Sequence, residues 1–341
     1  MQKTINTMEE FAAYAGVSRP TASKYFEQAD SVSARSRGKI EAALARVNYR
    51  PNLLASSLMR KDSRIIGVLI PSFGDPFYAS IVQSLEMFAL NHGYLVMAVC
   101  SYGKPELEDK ALAHFVSIKA SGICFAPAGY REKTEQLSRI EQEIPVVFID
   151  AVFEGASHTV RNNNQQSIAL ITHYVLDSGR TPSYFPMPTV NSNADERNRA
   201  FVQIMQAQKL TPNVLPVDTH ADTWAFEEWA KQQMLLMIKS KQLHTDAIIC
   251  ANDRIAFGVL SALSSVDMLH KTADGYNIAV CGHDNHPLSG FTVPPLTTVE
   301  QNVTAIGQTA IEIILAELGK TPAKHSNETY LDSKLILRES A

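Results

Sequence analysis

The chain has 341 residues, 45% of them apolar and 19% charged, with 31 Lys+Arg against 35 Asp+Glu and a formal net charge of −4. That length exceeds a single compact core and calls for two or three domains, while the composition is that of an ordinary globular protein. No apolar run is long enough for a transmembrane helix and no apolar signal-peptide core opens the chain, so a cytoplasmic protein is expected.

Thr7-Met8-Glu9-Glu10 carries the hydroxyl and carboxylate of a capping box and predicts a first helix. Phe11, Ala12 and Ala15 give that helix an apolar face, and Gly16 is its stop because glycine tolerates positive φ. Ser18 reads as the N-cap of a second helix, in whose first turn Pro20 removes no intrahelical bond. Two short helices joined by a brief, Gly-containing turn are the helix-turn-helix signature. A third helix is expected over 33–47, with Ile40, Ala43, Leu44 and Val47 inward and Gly38 a weak point costing ~1 kcal/mol relative to Ala.

In such a motif the start of the second helix meets base edges in the major groove. Arg19 can pair bidentately with guanine O6 and N7, and Thr21, Ser23 and Lys24 can reach bases or phosphates. The bland alternative is that these polar residues only solvate a helix. Charge separates the two readings: residues 1–64 carry +5 and the remainder −9. A basic head on an acidic body suits phosphate binding by one end of the chain.

From Ile65 the pattern changes to short apolar runs alternating with helical stretches. Strands are expected over 65–71, 94–99, 122–125 and 146–150, with helices over 78–92, 106–120 and 133–142 between them. The series restarts with helices over 165–177, 197–208 and 225–241, a strand over 247–251, a helix over 255–265 and a strand over 278–281. Alternation of this kind implies doubly wound sheets, here in two similar α/β lobes. The cysteines Cys100, Cys124, Cys250 and Cys281 lie in or beside these runs without metal-ligand spacing and read as buried free thiols.

Ligands of open α/β sheets sit beyond the carboxyl ends of the strands. Four polar clusters fall there: 71–78, Asp150, Asn252-Asp253 and 282–285. Asp75 and Asp284 are acceptors suited to sugar hydroxyls, and Phe77 and Tyr78 can stack on a ring, although each is equally a helix cap or loop residue. Carboxylates and a histidine invite an enzymatic reading, but the chain has no Gly-x-Ser-x-Gly elbow, no phosphate-cradling glycine loop and no metal cluster. Neither cofactor nor metal is expected. A solute-binding protein is the other alternative, and the DNA-reading head argues against it.

Taken in order, these motifs resemble the LacI/GalR family of bacterial transcription regulators. The resemblance runs from the head through Asn48-Tyr49-Arg50-Pro51-Asn52, Asp75-Pro76-Phe77-Tyr78, Asn163-Asn164, Asp195-Glu196-Arg197, Ala251-Asn252-Asp253, Gly282-His283-Asp284-Asn285 and Pro294-Pro295-Leu296-Thr297-Thr298 to Leu337-Arg338-Glu339-Ser340. It implies an all-α helix-turn-helix head over 1–50, a hinge over 51–63, and a periplasmic-binding-protein-like α/β body over 64–341. The N-lobe then covers about 64–160 and 291–320, the C-lobe about 161–290 and 321–341, with crossovers near 161, 290 and 320.

It further implies operator DNA as partner, met by Thr7, Ser18, Arg19, Pro20, Thr21, Ser23 and Lys24, and by Asn52, Ser56 and Leu58 of a minor-groove hinge helix. Effector contacts carried over are Asp75, Phe77, Tyr78, Asp150, Arg197, Trp224, Asn252 and Asp284. A homodimer is expected to match a palindromic operator, through helices near 77–89 and 254–263. The implied function is a repressor of a sugar-utilisation operon; regulation by a nucleoside or purine, and activation, are the alternatives.

Overall fold

The computed structural model describes residues 3–50, 63–129, 134–221, 223–273, 275–322 and 326–341. Asn52, Ser56 and Leu58, the expected hinge contacts, lie outside the described residues. The chain divides into two compact units, Met1–Ser63 and Arg64–Ala341.

The first unit runs β1 (Lys3–Thr4), α1 (Met8–Ala15), α2 (Arg19–Glu27), α3 (Ala34–Leu44) and β2 (Val47–Asn48), the two short strands pairing in parallel. Thr7 caps α1 by accepting from the Glu10 amide at 3.2 Å, while the Glu10 carboxylate accepts from Asn6, the residue before the cap, at 3.1 Å. Gly16 takes φ 64° and ends the helix, and Ser18 and Ser33 cap the next two. The third helix stops at Leu44, short of the expected end, because Val47 leaves it for the β1–β2 pair while keeping its side chain buried. Phe11 stacks on Tyr49 at 4.5 Å, and Phe26 meets both at an angle, so Tyr49 closes the head's core.

In the second unit β3 (Ile65–Ile70), α4 (Pro76–Asn91), β4 (Leu95–Cys100), α5 (Pro105–Ser117), β5 (Gly122–Phe125), α6 (Glu135–Glu143), β6 (Val146–Ile149) and β7 (Thr159–Asn162) alternate as expected of a doubly wound layer. The C-lobe continues with α7 (Asn164–Asp177), β8 (Pro182–Phe185), α8 (Ser192–Ala207), β9 (Asn213–Val214), α9 (Phe226–Lys239), β10 (Ala247–Cys250), α10 (Asp253–Ser265), the small hairpin β11 (Lys271–Thr272) and β12 (Gly275–Tyr276), and β13 (Ala279–Cys281). The chain then passes through β14 (Thr298–Glu300), α11 (Val303–Glu317), β15 (Glu328–Leu331) and β16 (Lys334–Ile336).

One sheet has the order β15-β7-β6-β5-β3-β4 and the other β13-β10-β8-β9, both wholly parallel, while β14 and β16 form a separate antiparallel pair. Ile66, Val68 and Ile70 face α4 and α11, and Leu69, Ile123 and Phe125 face α5 and α6. Because β3 is covered on both sides, its sequence is continuously apolar instead of alternating.

Three passages join the lobes. The second lies at β14, later than the expected 290, because Thr297 is still bridged to Cys281 of the C-lobe sheet. The third follows β15, later than the expected 320, since Glu328–Leu331 pairs with Thr159–Asn162 and so belongs to the N-lobe.

Candidate functional site

The carboxyl ends of both parallel sheets converge on one polar cleft, lined by Asp75, Phe77, Tyr78, Asp150, Asn191, Asn193, Arg197, Trp224, Asn252, Asp284 and Gln301, with an interior of about 30 Å³. A second compartment of about 110 Å³ shares Asp75, Phe77, Asp284 and Gln301 and adds Arg254 and His286. The cleft thus brings together all eight residues expected from sequence, but they do unequal work.

Arg197 is 4% exposed and held from three sides: its Nε donates to Asn164 Oδ1 at 3.0 Å, Nη1 donates to the Ala251 carbonyl at 2.7 Å, and Nη2 lies 3.6 Å from Asp284 Oδ1. Asp284 accepts on that same oxygen from Gln301 Nε2 at 2.6 Å and lies 2.8 Å from His283 Nδ1. Burial pushes the Asp284 carboxyl up, yet Arg197, His283 and Gln301 more than offset it and hold it below the usual carboxylate range.

Asp150 accepts from Tyr78 Oη at 2.8 Å and from Asn193 Nδ2 at 3.0 Å, and Asn191 donates to the same tyrosine at 3.3 Å. Burial pushes Asp150 up to about 6 despite those donors and Arg197. Both carboxylates sit on left-handed backbone, Asp150 at φ 69° and Asp284 at φ 116°. Non-glycine residues hold such angles only where the surroundings over-determine them, and functional sites collect them.

Other expected contacts are partly spent on structure. Asp75 caps α4 through the Phe77 amide at 3.0 Å and takes Arg254 Nη1 on its second oxygen at 3.2 Å. Asn252 caps α10 through the Ile255 amide at 2.8 Å. Tyr78 is 3% exposed, so it serves as a hydrogen-bonding partner of Asp150 rather than an open stacking face. Trp224 is half-buried beside Tyr78 and Phe226, and packs against the N-lobe loop at Gly103, where a Cβ would stand 2.6 Å from its indole nitrogen.

Sequence reasoning missed Asn191, Asn193 and Gln301. The first two open α8 as its cap and first turn, a signal readable as mere capping. Gln301 follows β14 at a lobe passage; it is 3% exposed and its Oε1 has no hydrogen-bond partner among the described residues, which leaves an acceptor inside the cleft.

In the head, Ser18 Oγ and Thr21 Oγ1 are 2.7 Å apart, so the cap and the third residue of α2 share a hydrogen bond. Arg19, Pro20 and Lys24 are exposed on α2, Thr21 and Ser23 are half-buried, and Thr7 is exposed at the start of α1. The Arg19 guanidinium meets the Glu9 carboxylate.

A family model described as bacterial regulatory proteins, lacI family, matches residues 7–52, and one described as periplasmic binding protein-like domain matches 159–341. The chain belongs to the lacI family of bacterial regulatory proteins. It is 27% identical to the ribose operon repressor of Escherichia coli (strain K12), over 98% of this chain and 99% of that one. It is 25% identical to the HTH-type transcriptional repressor PurR of Histophilus somni (strain 2336), over 98% of both. The crystal structure of the lac repressor dimer bound to operator and the anti-inducer ONPF superposes with a TM-score of 0.82 at 25% identity, covering 99% of each chain. As a lacI-family member the protein is a ligand-responsive transcriptional repressor, with a helix-turn-helix head and an α/β body. Among the described residues no helix is long and apolar enough to cross a membrane and no cluster could hold a metal ion.

Proposed function

We propose that the protein is a cytoplasmic, dimeric repressor of a sugar-utilisation operon whose effector is a neutral sugar bound between the lobes. The observation that carries this reading is the lining of the cleft. Asp150, Asp284 and the unpartnered Gln301 Oε1 are acceptors that call for hydroxyl donors, while Arg197 and Asn191 supply donors and Phe77 and Trp224 apolar faces. Two carboxylates oppose a sugar acid or a phosphate ester. The ribose operon repressor relationship supports a pentose, and PurR keeps a purine as the rival. An interior of about 30 Å³ is too small for a sugar ring, so the effector enters by parting the lobes and binds the parted and closed forms unequally.

Ser167, His283 and Asp284 line up in the order of a hydrolase relay, but Ser167 is fully buried and no nucleophile reaches the cavity from it. Operator reading is assigned to Arg19, Pro20, Thr21, Ser23 and Lys24, with Thr7 and Ser18 near the phosphates and Asn52, Ser56 and Leu58 in the hinge. The dimer of the lac repressor supports a second copy as partner.

A thermal-shift panel of D-ribose, other pentoses, hexoses, sugar acids, nucleosides and purines tests the effector class, with mobility shifts on operator fragments as the second readout. Stabilisation by a pentose that also changes operator affinity is expected; stabilisation by a purine alone would replace the sugar reading. Arg197→Ala should remove the response to effector while operator binding survives, and a fully responsive variant would refute its role.

A further inference from the structure

His283 follows β13 and is fully buried, with Nδ1 2.8 Å from Asp284 Oδ1 and Nε2 2.9 Å from Ser167 Oγ. Ser167 Oγ also receives Asn162 Nδ2 at 3.2 Å and lies 3.2 Å from the Asn164 carbonyl. The hydroxyl has one proton to give. Given to the Asn164 carbonyl, it forces the ring proton onto Nε2 and leaves bare Nδ1 against a carboxylate, two acceptors facing each other in a buried site. Given to Nε2, it lets the ring donate from Nδ1 to Asp284, and every atom in the line is matched. The Asn164 carbonyl opens α7, where the helix's own ladder can serve it.

A charged imidazole would also donate at both ends. Burial and the neighbouring Arg197 oppose that form and push His283 down to about 4. The ring is therefore neutral, with its proton on Nδ1.

The line does more than satisfy itself. Asp284 Oδ1 is taken by His283, Gln301 and Arg197 together, which turns the other carboxylate oxygen, without a hydrogen-bond partner among the described residues, into the acceptor that the cleft presents. At its far end Ser167 holds Asn162, which accepts from Ser333 at the third lobe passage. Asn162 ends β7 at the first passage, and Gln301 follows β14 at the second. A single hydrogen-bonded line thus joins one cleft carboxylate to all three passages between the lobes.

We propose that Ser167 and His283 are a positioning pair that fixes the orientation of Asp284 toward the effector and links its occupancy to the lobe passages. The proposal rests on the assignment of Asp284 as an effector contact. It concerns residues that make no effector contact themselves, since both are sealed from the cleft.

The test uses the full chain, with D-ribose as probe in calorimetry and imidazole ¹⁵N spectra of the effector-free protein. His283→Phe should weaken D-ribose about tenfold or more, while effector-free operator affinity stays at the wild-type value. His283→Gln, whose amide can donate to Asp284 and accept from Ser167, should recover affinity to within about threefold of wild type. The wild-type ring should be neutral at pH 5.5 to 8, because burial and Arg197 lower it to about 4, and its proton should sit on Nδ1, as the matching of donors and acceptors along the line demands. Wild-type affinity in His283→Phe, failure of His283→Gln to rescue, or a proton found on Nε2 would each overturn the pair. If His283→Phe does not fold, Ser167→Ala carries the affinity arm, with a several-fold loss expected and none refuting the role. If wild type ignores D-ribose, the pentose reading falls by itself, and the ring tautomer still decides this proposal.

Discussion

Arg19 and Lys24 stand on the same helix and should behave differently on DNA. A guanidinium that pairs with guanine O6 and N7 discriminates one base, so Arg19→Ala should cost about 1–3 kcal/mol on the cognate operator and relax preference at one position. Lys24→Ala should weaken all sequences alike and lower the salt slope by about one. Binding titrations on an operator library at two salt concentrations separate the two, and a uniform loss from Arg19→Ala would remove its reading role. In the cleft, Asp150 sets a pH dependence. Its folded value of about 6 lies above that of an unfolded aspartate, so between about 4 and 6 the folded chain keeps a proton the unfolded chain has lost. Stability from this group therefore falls as pH rises through that window. Sugar hydroxyls donate to the ionised carboxylate, so effector affinity should run the other way, declining as pH drops below about 6. Calorimetry at pH 5.5 and 7.5 measures the decline, and Asp150→Asn should flatten it; an equally steep profile in that variant would assign the titration elsewhere.

At the scale of elements, the legible part was whatever one helix or one buried strand states alone. Caps at Thr7 and Ser18, the stop at Gly16 and the apolar run Ile65–Ile70 are local chemistry, and the structure keeps them. Strand β8 was missed because Pro182-Ser183-Tyr184-Phe185 is short, proline-led and half polar; burial between β10 and β9 decides it. The same holds for β15, a strand only because β7 is beside it. Cross-lobe partnerships were equally invisible. Asp75 reads as a ligand contact in sequence, yet Arg254, bound to Glu227 through Nε at 2.6 Å and Nη2 at 2.7 Å, reaches across to it at 3.2 Å. This bridge joins α4 of one lobe to α9 and α10 of the other. Arg254→Met keeps the stem and removes the bridge, so the effector-free body should open. Small-angle scattering should report a larger radius of gyration that returns to the wild-type value with saturating effector. An unchanged effector-free radius would mean that the remaining contacts, such as Asn193 to Asp150, hold closure alone.

At the scale of the whole molecule, a two-fold operator needs two heads, and the apolar side chains left outside show where a second copy can sit. Met87 and Leu90 on α4, Leu95 and Met97 on the edge strand β4, and Leu288, Phe291 and Val293 after β13 are 47–82% exposed. By contrast, α10, expected at the contact, spends Ile255, Val259, Leu260 and Leu263 inside the C-lobe core. An edge strand with an exposed apolar row is a liability unless something covers it. We therefore assign the covering to a second copy through β4 and α4. Leu95→Glu with Met97→Glu places two carboxylates in that contact without touching the core, since Val96 and Ala98 are the inward residues of the strand. The double variant should sediment as a monomer with an unaltered effector affinity. Its operator affinity should fall steeply, because two half-sites on one dimer act at high effective concentration and separate heads do not. A variant that stays dimeric would move the interface elsewhere, and a monomer with full operator affinity would deny that repression needs the dimer.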